Sequence, residues 1–351
     1  MITSYSDIPD FDKVFVPDFD NGKLYWAKGT HLAGKEAGSP RDRRGSNGVH
    51  EKKYWMVQYK SFTNWNRGKI LYYMKYKVWP PIIDHINGNS LDDRISNLRE
   101  ITLSKNAYNC RFRKISKTLP IGVSIDSTAR GNKVYQAQFK MFDKTYKKRF
   151  YNSKDAHEYY KKKMISYYGS NDELDYYLTI KQNSLKWHFL RHNRWTGSRA
   201  IHLLRGKPLP DDSSTYQSGA MRRGKVLEPQ AIQEYEREMR VSVIRNVAAV
   251  INTKYPTTLY SPDGIVGKIL LEVKCLNEER HKRLLQGDIP PEYIAQIQFG
   301  MVITGLRKAQ LLAFNPEFEK QLTIIDIPYD KAIAKNIRRR LRADMKNRQS
   351  T

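Results

Sequence analysis

Cysteine is scarce in this chain of 351 residues, whose two cysteines, Cys110 and Cys275, lie far apart in the sequence. Neither belongs to a Cys-x-x-Cys pair, so the sequence argues against a zinc site built on paired thiolates. Two isolated cysteines do not predict a disulfide framework either, since such frameworks belong to cysteine-rich proteins of oxidising compartments. We therefore expect free thiols and a reducing cytoplasm.

Long apolar stretches are absent as well. No run approaches the roughly 18 apolar residues that a membrane-spanning helix needs. The N-terminal residues lack the basic start and apolar core of a secretory signal peptide. We therefore expect neither a membrane protein nor a secreted one.

Acidic residues are few relative to basic ones: 36 Asp and Glu stand against 62 Lys and Arg, for a formal net charge of +26 at pH 7. A balance this basic makes a polyanion the default partner, and nucleic acid is the commonest one. The length exceeds what one hydrophobic core usually serves, so we expect two or three domains.

Residues 260–275 place two acids and a lysine in a pattern typical of a β-hairpin. In a strand over the second half of this stretch, the period of two puts Glu272 and Lys274 on one face. Asp263 precedes the turn, so the neighbouring strand brings it to the same place. Two carboxylates beside one ammonium favour a divalent cation that offsets their charge. The alternative is an Asp-Gly turn followed by a solvated strand face.

This pattern resembles that of the PD-(D/E)XK nucleases, and the whole segment 186–351 resembles the lambda exonuclease family of phage recombination nucleases. The resemblance rests on five stretches in the family's order: 187–198, 224–228, 261–264, 272–275 and 293–298. It implies an α/β restriction-endonuclease-like fold that digests duplex DNA in the 5′→3′ direction. It also implies a ring-shaped homotrimer and a single-strand annealing protein as partner.

The same resemblance assigns roles to individual residues. Asp263 and Glu272 would bind the catalytic Mg²⁺ or Mn²⁺ with help from Glu228. Lys274 would activate water, and Gln296 would help to position it. The 5′-phosphate of the digested strand would be bound by Arg191, Ser198 and Ser261, since guanidinium and hydroxyl groups suit that end group.

Residues 82–109 combine acid, imidazole and amide side chains. An apolar strand carries Asp84 and His85 into a turn at Gly88, and Ser104 is a plausible N-cap for a helix that bears Asn106. A neutral imidazole accepts a proton near pH 7, and oxygen ligands suit a hard cation. The alternative is an Asn-Gly hairpin with a structural histidine.

This stretch resembles the HNH nucleases of the homing type, and the resemblance extends upstream to about residue 22. It implies a ββα-metal domain in which His85 is the general base and Asn97 orients it, while Asp84 and Asn106 bind one Mg²⁺ or Mn²⁺. Relatives often have His-Arg before the short helix, where this chain has Asn66 followed by arginine, and that departure puts one helix or DNA contact in doubt.

Residues 119–168 predict three strands and a helix over 154–167, with one apolar and one basic sheet face. This arrangement resembles the AP2-type DNA-binding domain. The resemblance implies base contacts from Gln136, Gln138 and Lys140 and phosphate contacts from Arg130, Lys147 and Arg149. The alternative is a solvated basic face.

The sequence thus predicts an α+β multidomain protein with an HNH domain over 1–118, an AP2-like domain over 119–168, a linker over 169–185 and an exonuclease domain over 186–351. We also expect a loop between the first predicted strands, a buried stripe on the helix after residue 221 that includes Val226, and a solvated basic helix over 331–342.

Both resemblances imply a Mg²⁺-dependent DNA nuclease from a phage or prophage, acting in the bacterial cytoplasm. Two alternatives remain open at this point. In the first, only one of the two nuclease halves is active. In the second, the protein is a non-catalytic DNA-binding regulator that uses the AP2-like sheet and cuts nothing.

Overall fold

The structure is a computed structural model that describes residues 7–44, 50–59, 62–102, 119–120, 122–129, 133–141, 144–168, 174–177, 184–210, 219–245, 247 and 249–348. Its strands are β1 (Phe15–Asp18), β2 (Lys23–Trp26), β3 (Ser39–Arg44), β4 (His50–Tyr59), β5 (Phe62–Asn66), β6 (Ile83–His85), β7 (Leu98–Glu100), β8 (Val123–Ile125), β9 (Tyr135–Met141), β10 (Lys144–Phe150), β11 (Leu174–Tyr177), β12 (Ala249–Asn252), β13 (Gly264–Val266), β14 (Ile269–Cys275), β15 (Lys308–Phe314) and β16 (Leu322–Pro328). Its α-helices are α1 (Arg67–Tyr76), α2 (Ser153–Tyr168), α3 (Leu185–Arg191), α4 (Ala200–Leu204), α5 (Gly219–Met239), α6 (Glu278–Leu285), α7 (Pro291–Thr304) and α8 (Lys331–Asn347).

Three small antiparallel sheets surround α1 in the N-terminal part: the β1–β2 hairpin, the sheet β3–β4–β5 and the β6–β7 hairpin. The predicted loop between the first strands is wrong in part, because Ser39–Arg44 forms β3 and pairs with β4. An aromatic cluster that includes Phe11, Phe15 and Trp65 forms the core. Such large side chains let a small domain bury enough apolar surface to be stable.

The middle segment forms the three strands and the helix that its sequence predicts. Strands β8, β9 and β10 form an antiparallel sheet in the order β10–β9–β8, and α2 covers one face. Ala137 and Phe139 point from β9 towards Ala156 and Tyr160 of the helix. The alternation of apolar and polar residues in β9 therefore sets the helix-covered face and leaves the polar face outside.

The C-terminal part contains a mixed sheet in the order β13–β14–β15–β16, in which β14 and β15 are parallel and the outer pairs are antiparallel. Helix α7 packs into the cluster on one face of this sheet, and α5 packs into the cluster on the other. The expected burial of Val226 is wrong, because this side chain is 69% exposed. Leu227 packs instead, one turn before Ala231, since residues four apart share a helix face.

Helix α8 differs from the solvated helix that its many arginines predict. Ala334, Ile337 and Leu341 are fully buried in the core beside α7. These positions recur every three to four residues, which gives the helix an apolar stripe beneath its charged face. Asp330 begins the helix by accepting hydrogen bonds from two backbone N–H groups.

The predicted linker also contains regular structure. Leu174–Tyr177 forms β11, which pairs antiparallel with β12. This part of residues 169–185 therefore belongs to the sheet structure of the C-terminal domain. Within the described parts of the chain, no helix combines the length and apolar character that spanning a bilayer requires.

A buried ion pair joins the N-terminal and C-terminal domains. Arg194 Nη2 donates to Glu100 Oε2 at 2.6 Å, and the two side chains are 1% and 3% exposed. Arg348 reinforces the contact by donating to the carbonyl of Tyr76 at 3.2 Å and to that of Asn193 at 2.7 Å. Removing one partner of a buried pair leaves an uncompensated charge, which makes this contact specific.

Replacing Ile337 by Ala should lower the free energy of unfolding of the C-terminal domain by about 2–5 kcal/mol, because a fully buried side chain leaves a cavity. Chemical denaturation followed by circular dichroism measures the change. Lys335→Ala, two residues away on the exposed face, is the matched control and should change stability by less than about 0.5 kcal/mol. Equal effects of the two substitutions would contradict the packing of α8.

Candidate active sites

Asp263, Glu272 and Lys274 meet at one end of the C-terminal sheet, as the sequence predicts. Glu272 and Lys274 lie on the same face of β14, and Lys274 Nζ is 2.6 Å from Glu272 Oε1. Asp263 comes just before β13, and its Oδ2 atom accepts a hydrogen bond of 2.8 Å from the Val273 backbone N–H. The pairing of β13 with β14 therefore brings the three charged groups together.

Glu272 lies at the centre of this cluster, and its side chain is only 1% exposed. Besides Lys274, Gln296 Nε2 donates to Glu272 Oε1 at 2.5 Å, and the Tyr260 hydroxyl donates to Oε2 at 3.2 Å. Lys274 also donates to Gln296 Oε1 at 3.2 Å. Gln296 therefore contacts both Glu272 and Lys274, and Tyr260 is a further member that was not among the predicted site residues.

The carboxylates of this cluster repel one another. Burial raises the pKa of Asp263 well above its usual range, and the Glu272 and Glu228 carboxylates raise it further. Burial and Glu272 also raise the pKa of Glu228, which lies on α5. Burial lowers the pKa of Lys274, but Glu272 and Asp263 outweigh that effect and the net shift is upward. The Lys274 ammonium thus lies among three carboxylates.

The donor set suits a hard divalent cation, because carboxylate oxygens are the ligands that Mg²⁺ and Mn²⁺ prefer. The raised pKa values indicate buried negative charge that is not fully offset, and a cation would offset it. Among the described residues, no group of three or more His, Cys, Asp and Glu side chains lies close enough together to hold a metal ion. In this arrangement Lys274 provides the positive charge next to Glu272.

Arg191 and Ser198, two of the predicted phosphate ligands, lie side by side. Helix α3 ends at Arg191, whose Nη2 atom donates to Thr196 Oγ1 and to Ser198 Oγ, both at 3.4 Å. The guanidinium carbon is 4.2 Å from the centroid of the Trp187 ring, a cation–π contact that restrains the group. A guanidinium next to hydroxyl groups is suited to bind a phosphate.

Ser261, the third predicted phosphate ligand, has a buried Oγ atom with no hydrogen-bond partner in the described part of the chain. A buried hydroxyl without a partner in the protein can donate to a ligand or to water. The loop that carries Ser198 also packs against the carboxylate cluster. A Cβ atom at Gly197 would lie 3.0 Å from Gln296 Cγ and 3.0 Å from Tyr260 Cε2. The loop that carries Ser198 therefore lies next to Gln296 and Tyr260, both of which bind Glu272.

The β6–β7 hairpin carries the residues of the second predicted site. Asp84 and His85 end β6, and Gly88, with φ of 79°, makes the expected turn. Asp84 lies opposite Arg99 of β7, whose guanidinium donates to Asp84 Oδ2 at 2.9 and 3.1 Å. Arg99 is not among the predicted site residues, although it lies only two residues after Asn97.

His85 is buried and contacts a carboxylate that the sequence analysis does not single out. Its Nε2 atom is 2.8 Å from Asp93 Oδ1, and Asp93 Oδ2 accepts from Arg67 Nε at 2.8 Å. The sequence does not distinguish Asp93 from its neighbour Asp92. Which of two adjacent side chains faces the imidazole depends on the backbone of an irregular loop.

Asn97 is predicted to orient His85, and in the structure its side chain holds the loop that follows the imidazole. Asn97 Oδ1 accepts from the Asn87 backbone N–H at 2.9 Å, and Nδ2 donates to the Asp92 carbonyl at 2.7 Å. Asp93 makes the contact with the imidazole. The role of Asn97 therefore stays a prediction.

Asn106, the second predicted metal ligand of this domain, lies outside the described residues, as do Ser104 and Cys110. Asn66 stands where relatives have histidine, and it is the N-cap of α1: its Oδ1 atom accepts from the Lys69 backbone N–H at 3.0 Å. This departure from the family pattern thus has a structural role of its own.

One face of the middle sheet carries four predicted DNA contacts: Gln136, Gln138, Lys147 and Arg149. Gln138 is paired with Lys147, and both are exposed. Arg149 Nε donates to Asp126 Oδ2 at 2.5 Å, so this guanidinium is partly committed within the sheet. Two further predicted contacts lie outside the description: Arg130 and the Lys140 side chain. All six roles in DNA binding stay predictions.

Comparison with known proteins gives two family matches. Residues 200–307 match a YqaJ-like viral recombinase domain, and residues 75–108 match an HNH endonuclease. The chain is a DNA-hydrolysing nuclease. The first matching range of this nuclease contains Glu228, Asp263, Glu272, Lys274 and Gln296, and the second contains Asp84, His85, Asn97 and Asn106. The AP2-type resemblance of residues 119–168 stays a prediction.

Two solved structures are among those similar to the chain. An alkaline exonuclease from Laribacter hongkongensis is 24% identical over 48% of this chain and 93% of its own length, with a TM-score of 0.40. A phage related exonuclease from Haemophilus somnus is 15% identical over 46% of this chain and 96% of its own length, with a TM-score of 0.36. No curated protein sequence matched the chain.

Replacing Asp263 by Asn should raise thermal stability at pH 8 in the absence of divalent cations. The amide oxygen can still accept from Val273, but a buried charge is lost. Because folding raises the pKa of Asp263, protonation stabilises the folded state, and that stability is lost as pH rises through the raised pKa. The advantage of Asn should therefore shrink as pH falls. A relief of about 1 kcal/mol corresponds to a shift of about 2–4 °C.

Differential scanning calorimetry in EDTA measures this shift, with the exposed Glu319→Gln as a control that removes a solvated charge. Adding Mg²⁺ should stabilise the wild type more than Asp263→Asn, since a ligand stabilises the state that binds it. A wild type that is more stable than Asp263→Asn at pH 8 in EDTA would contradict the charge argument.

Proposed function

We propose that this nuclease is metal-dependent and has two active sites, an HNH endonuclease of the homing type and a 5′→3′ exonuclease that acts on duplex DNA. The observation that supports the second assignment most directly is the buried Glu272 network packed against the Arg191 and Ser198 pocket. A terminal phosphate bound there would place the adjoining phosphodiester bond near the carboxylates, which suits the removal of nucleotides from an end.

In the exonuclease site, Asp263 and Glu272 would hold Mg²⁺ or Mn²⁺ with help from Glu228. When bound, the cation would activate water and stabilise the charge of the leaving oxygen. Lys274 is an ammonium in this environment, so its part is to donate hydrogen bonds to the attacking water rather than to accept a proton. Gln296 contacts both Lys274 and Glu272 and would fix their relative positions.

In the HNH site, Asp84 and Asn106 would hold a single Mg²⁺ or Mn²⁺, and His85 would take the proton of the attacking water. Arg99, bound to Asp84, restrains one face of this carboxylate. Asn97 holds the loop after His85 and would keep the imidazole in place through that loop. The two sites would thus hydrolyse the same bond by different residues.

The exposed face of the middle sheet would contact DNA through Gln138 and Lys147, with Gln136 and Arg149 beside them. The net charge of +26 favours such contacts along the phosphate backbone. The homotrimer and the single-strand annealing protein are implied by the family resemblance alone and stay predictions.

Lys274→Met should abolish digestion of linear duplex DNA while leaving the nicking of closed circles intact, and His85→Ala should do the opposite. General acid–base and positioning groups contribute factors of about 10²–10⁴, so each loss should be at least about 10²-fold. The assay uses linear 5′-phosphorylated duplex and covalently closed circles with Mg²⁺, analysed by denaturing gels. Loss of nucleotides should begin at the 5′-phosphorylated end.

Lys268→Met is the matched control for the exonuclease, because this exposed lysine lies in the turn of the same hairpin. It should digest linear DNA at about the wild-type rate. If cleavage of one substrate persists in both Lys274→Met and His85→Ala, neither proposed active site catalyses that cleavage. If the wild type cleaves only one of the two substrates, one nuclease half is inactive.

A further inference from the structure

Asp93 contacts His85, and we propose that it is a positioning residue of the HNH site that fixes which imidazole nitrogen accepts a proton. The inference rests on the proposed endonuclease function. The two side chains are 2% and 5% exposed and lie 2.8 Å apart between Asp93 Oδ1 and His85 Nε2. A contact this short and this buried is a well-formed hydrogen bond rather than a solvent-screened surface pair.

Arg67 binds the other oxygen of the Asp93 carboxylate and restrains its position. The guanidinium Nε donates to Asp93 Oδ2 at 2.8 Å, and Nη1 donates to Glu36 Oε1 at 2.8 Å. The guanidinium also lies 4.0 Å from the centroid of the Trp55 ring, which restrains its plane. Arg67 and His85 therefore contact different oxygens of Asp93, which fixes the orientation of the carboxylate.

The contact with Asp93 selects the tautomer of His85. A carboxylate oxygen accepts hydrogen bonds, so Nε2 of the imidazole donates in this contact. A neutral imidazole has a single N–H group, and Nδ1 is therefore the nitrogen that can accept a proton. The Arg67–Asp93–His85 chain thus selects Nδ1 as the basic atom.

Two glycines make room for this arrangement. A Cβ atom at Gly68, in α1, would lie 2.9 Å from Asp93 Oδ1, and one at Gly22, in the β1–β2 turn, would lie 2.4 Å from the Asp93 carbonyl carbon. Both distances are shorter than real Cβ atoms show. Helix α1 therefore packs against the carboxylate of Asp93, and the β1–β2 turn packs against its backbone. Tight packing of this kind holds a functional side chain in a defined geometry.

In the reaction, His85 Nδ1 takes a proton from the attacking water as its O–H bond breaks. The oxygen forms a bond to phosphorus, the bond from phosphorus to the leaving oxygen breaks, and that oxygen takes a proton from solvent. The Asp93 carboxylate stabilises the positive charge that the imidazole gains, as an acid behind a histidine base does in other hydrolases.

Asp93→Asn tests this role in the full-length protein, since it keeps the shape of the side chain and removes its charge. On covalently closed circles with Mg²⁺, we expect kcat for nicking to fall by at least about 10²-fold, with KM for DNA changed by less than about threefold. Digestion of linear duplex by the exonuclease site should be unchanged, which reports that the variant is folded.

Glu36→Gln is the matched control. It removes the other carboxylate bound to Arg67 but does not touch His85. A merely structural role of the ion pairs would make both variants lose nicking together with stability. We expect Glu36→Gln to nick within about twofold of the wild-type rate.

A second readout is the tautomer itself, measured by ¹⁵N NMR of protein labelled on histidine, with the His85 signals identified by their loss in His85→Gln. The wild type and Glu36→Gln should carry the proton on Nε2, whereas Asp93→Asn should show a mixture of tautomers. A wild-type His85 protonated on Nδ1 would overturn the proposal.

The outcomes separate this proposal from the function on which it rests. If His85→Ala still nicks closed circles, the proposed endonuclease site fails. If His85→Ala loses nicking and Asp93→Asn nicks at the wild-type rate, the endonuclease stands and the role of Asp93 is wrong.

Discussion

Three carboxylates share the Lys274 ammonium at the end of the β13–β14 hairpin. Several elements of the C-terminal domain pack around them. Helix α5 brings Glu228, α7 brings Gln296, and the strand partners of β14 enclose Glu272 until it is 1% exposed. Such a concentration of buried charge destabilises a fold unless another group offsets it. The raised pKa values of Asp263 and Glu228 are the signature of that imbalance, and perturbed acids of this kind cluster at functional sites.

The contact between the two nuclease segments lies close to both sites in the sequence. Glu100 directly follows Arg99, which binds Asp84, and its partner Arg194 lies in the sequence between Arg191 and Ser198. The ion pair is therefore only a few residues from each site. Removing either partner alone would leave the other buried charge uncompensated.

Local patterns in the sequence were sufficient where a short period decides the outcome. The period of two in β14 places Glu272 beside Lys274, and the same period in β9 predicts the sheet face that α2 covers. Capping also follows from local chemistry, as at Asp330. In these places neighbouring residues alone determine the structure.

Features that depend on distant partners were not predictable in this way. The arginines of α8 suggest a solvated helix, and only its packing beside α7 reveals the buried stripe at Ile337. Strand β3 lies in a stretch rich in glycine and arginine, and its pairing with β4 defines it. Asp93 is one of two adjacent acids, and only the tertiary fold brings it, rather than Asp92, to His85.

A cation site formed by the buried carboxylates of the C-terminal domain can be tested by equilibrium binding of Mn²⁺ to the full-length protein, followed by electron paramagnetic resonance. The wild type is compared with a variant that carries Asp263→Asn and Glu272→Gln. We expect the double variant to lose the Mn²⁺ bound by the C-terminal domain and to keep the binding that depends on Asp84. The same stoichiometry and affinity in both proteins would mean that these carboxylates hold no cation.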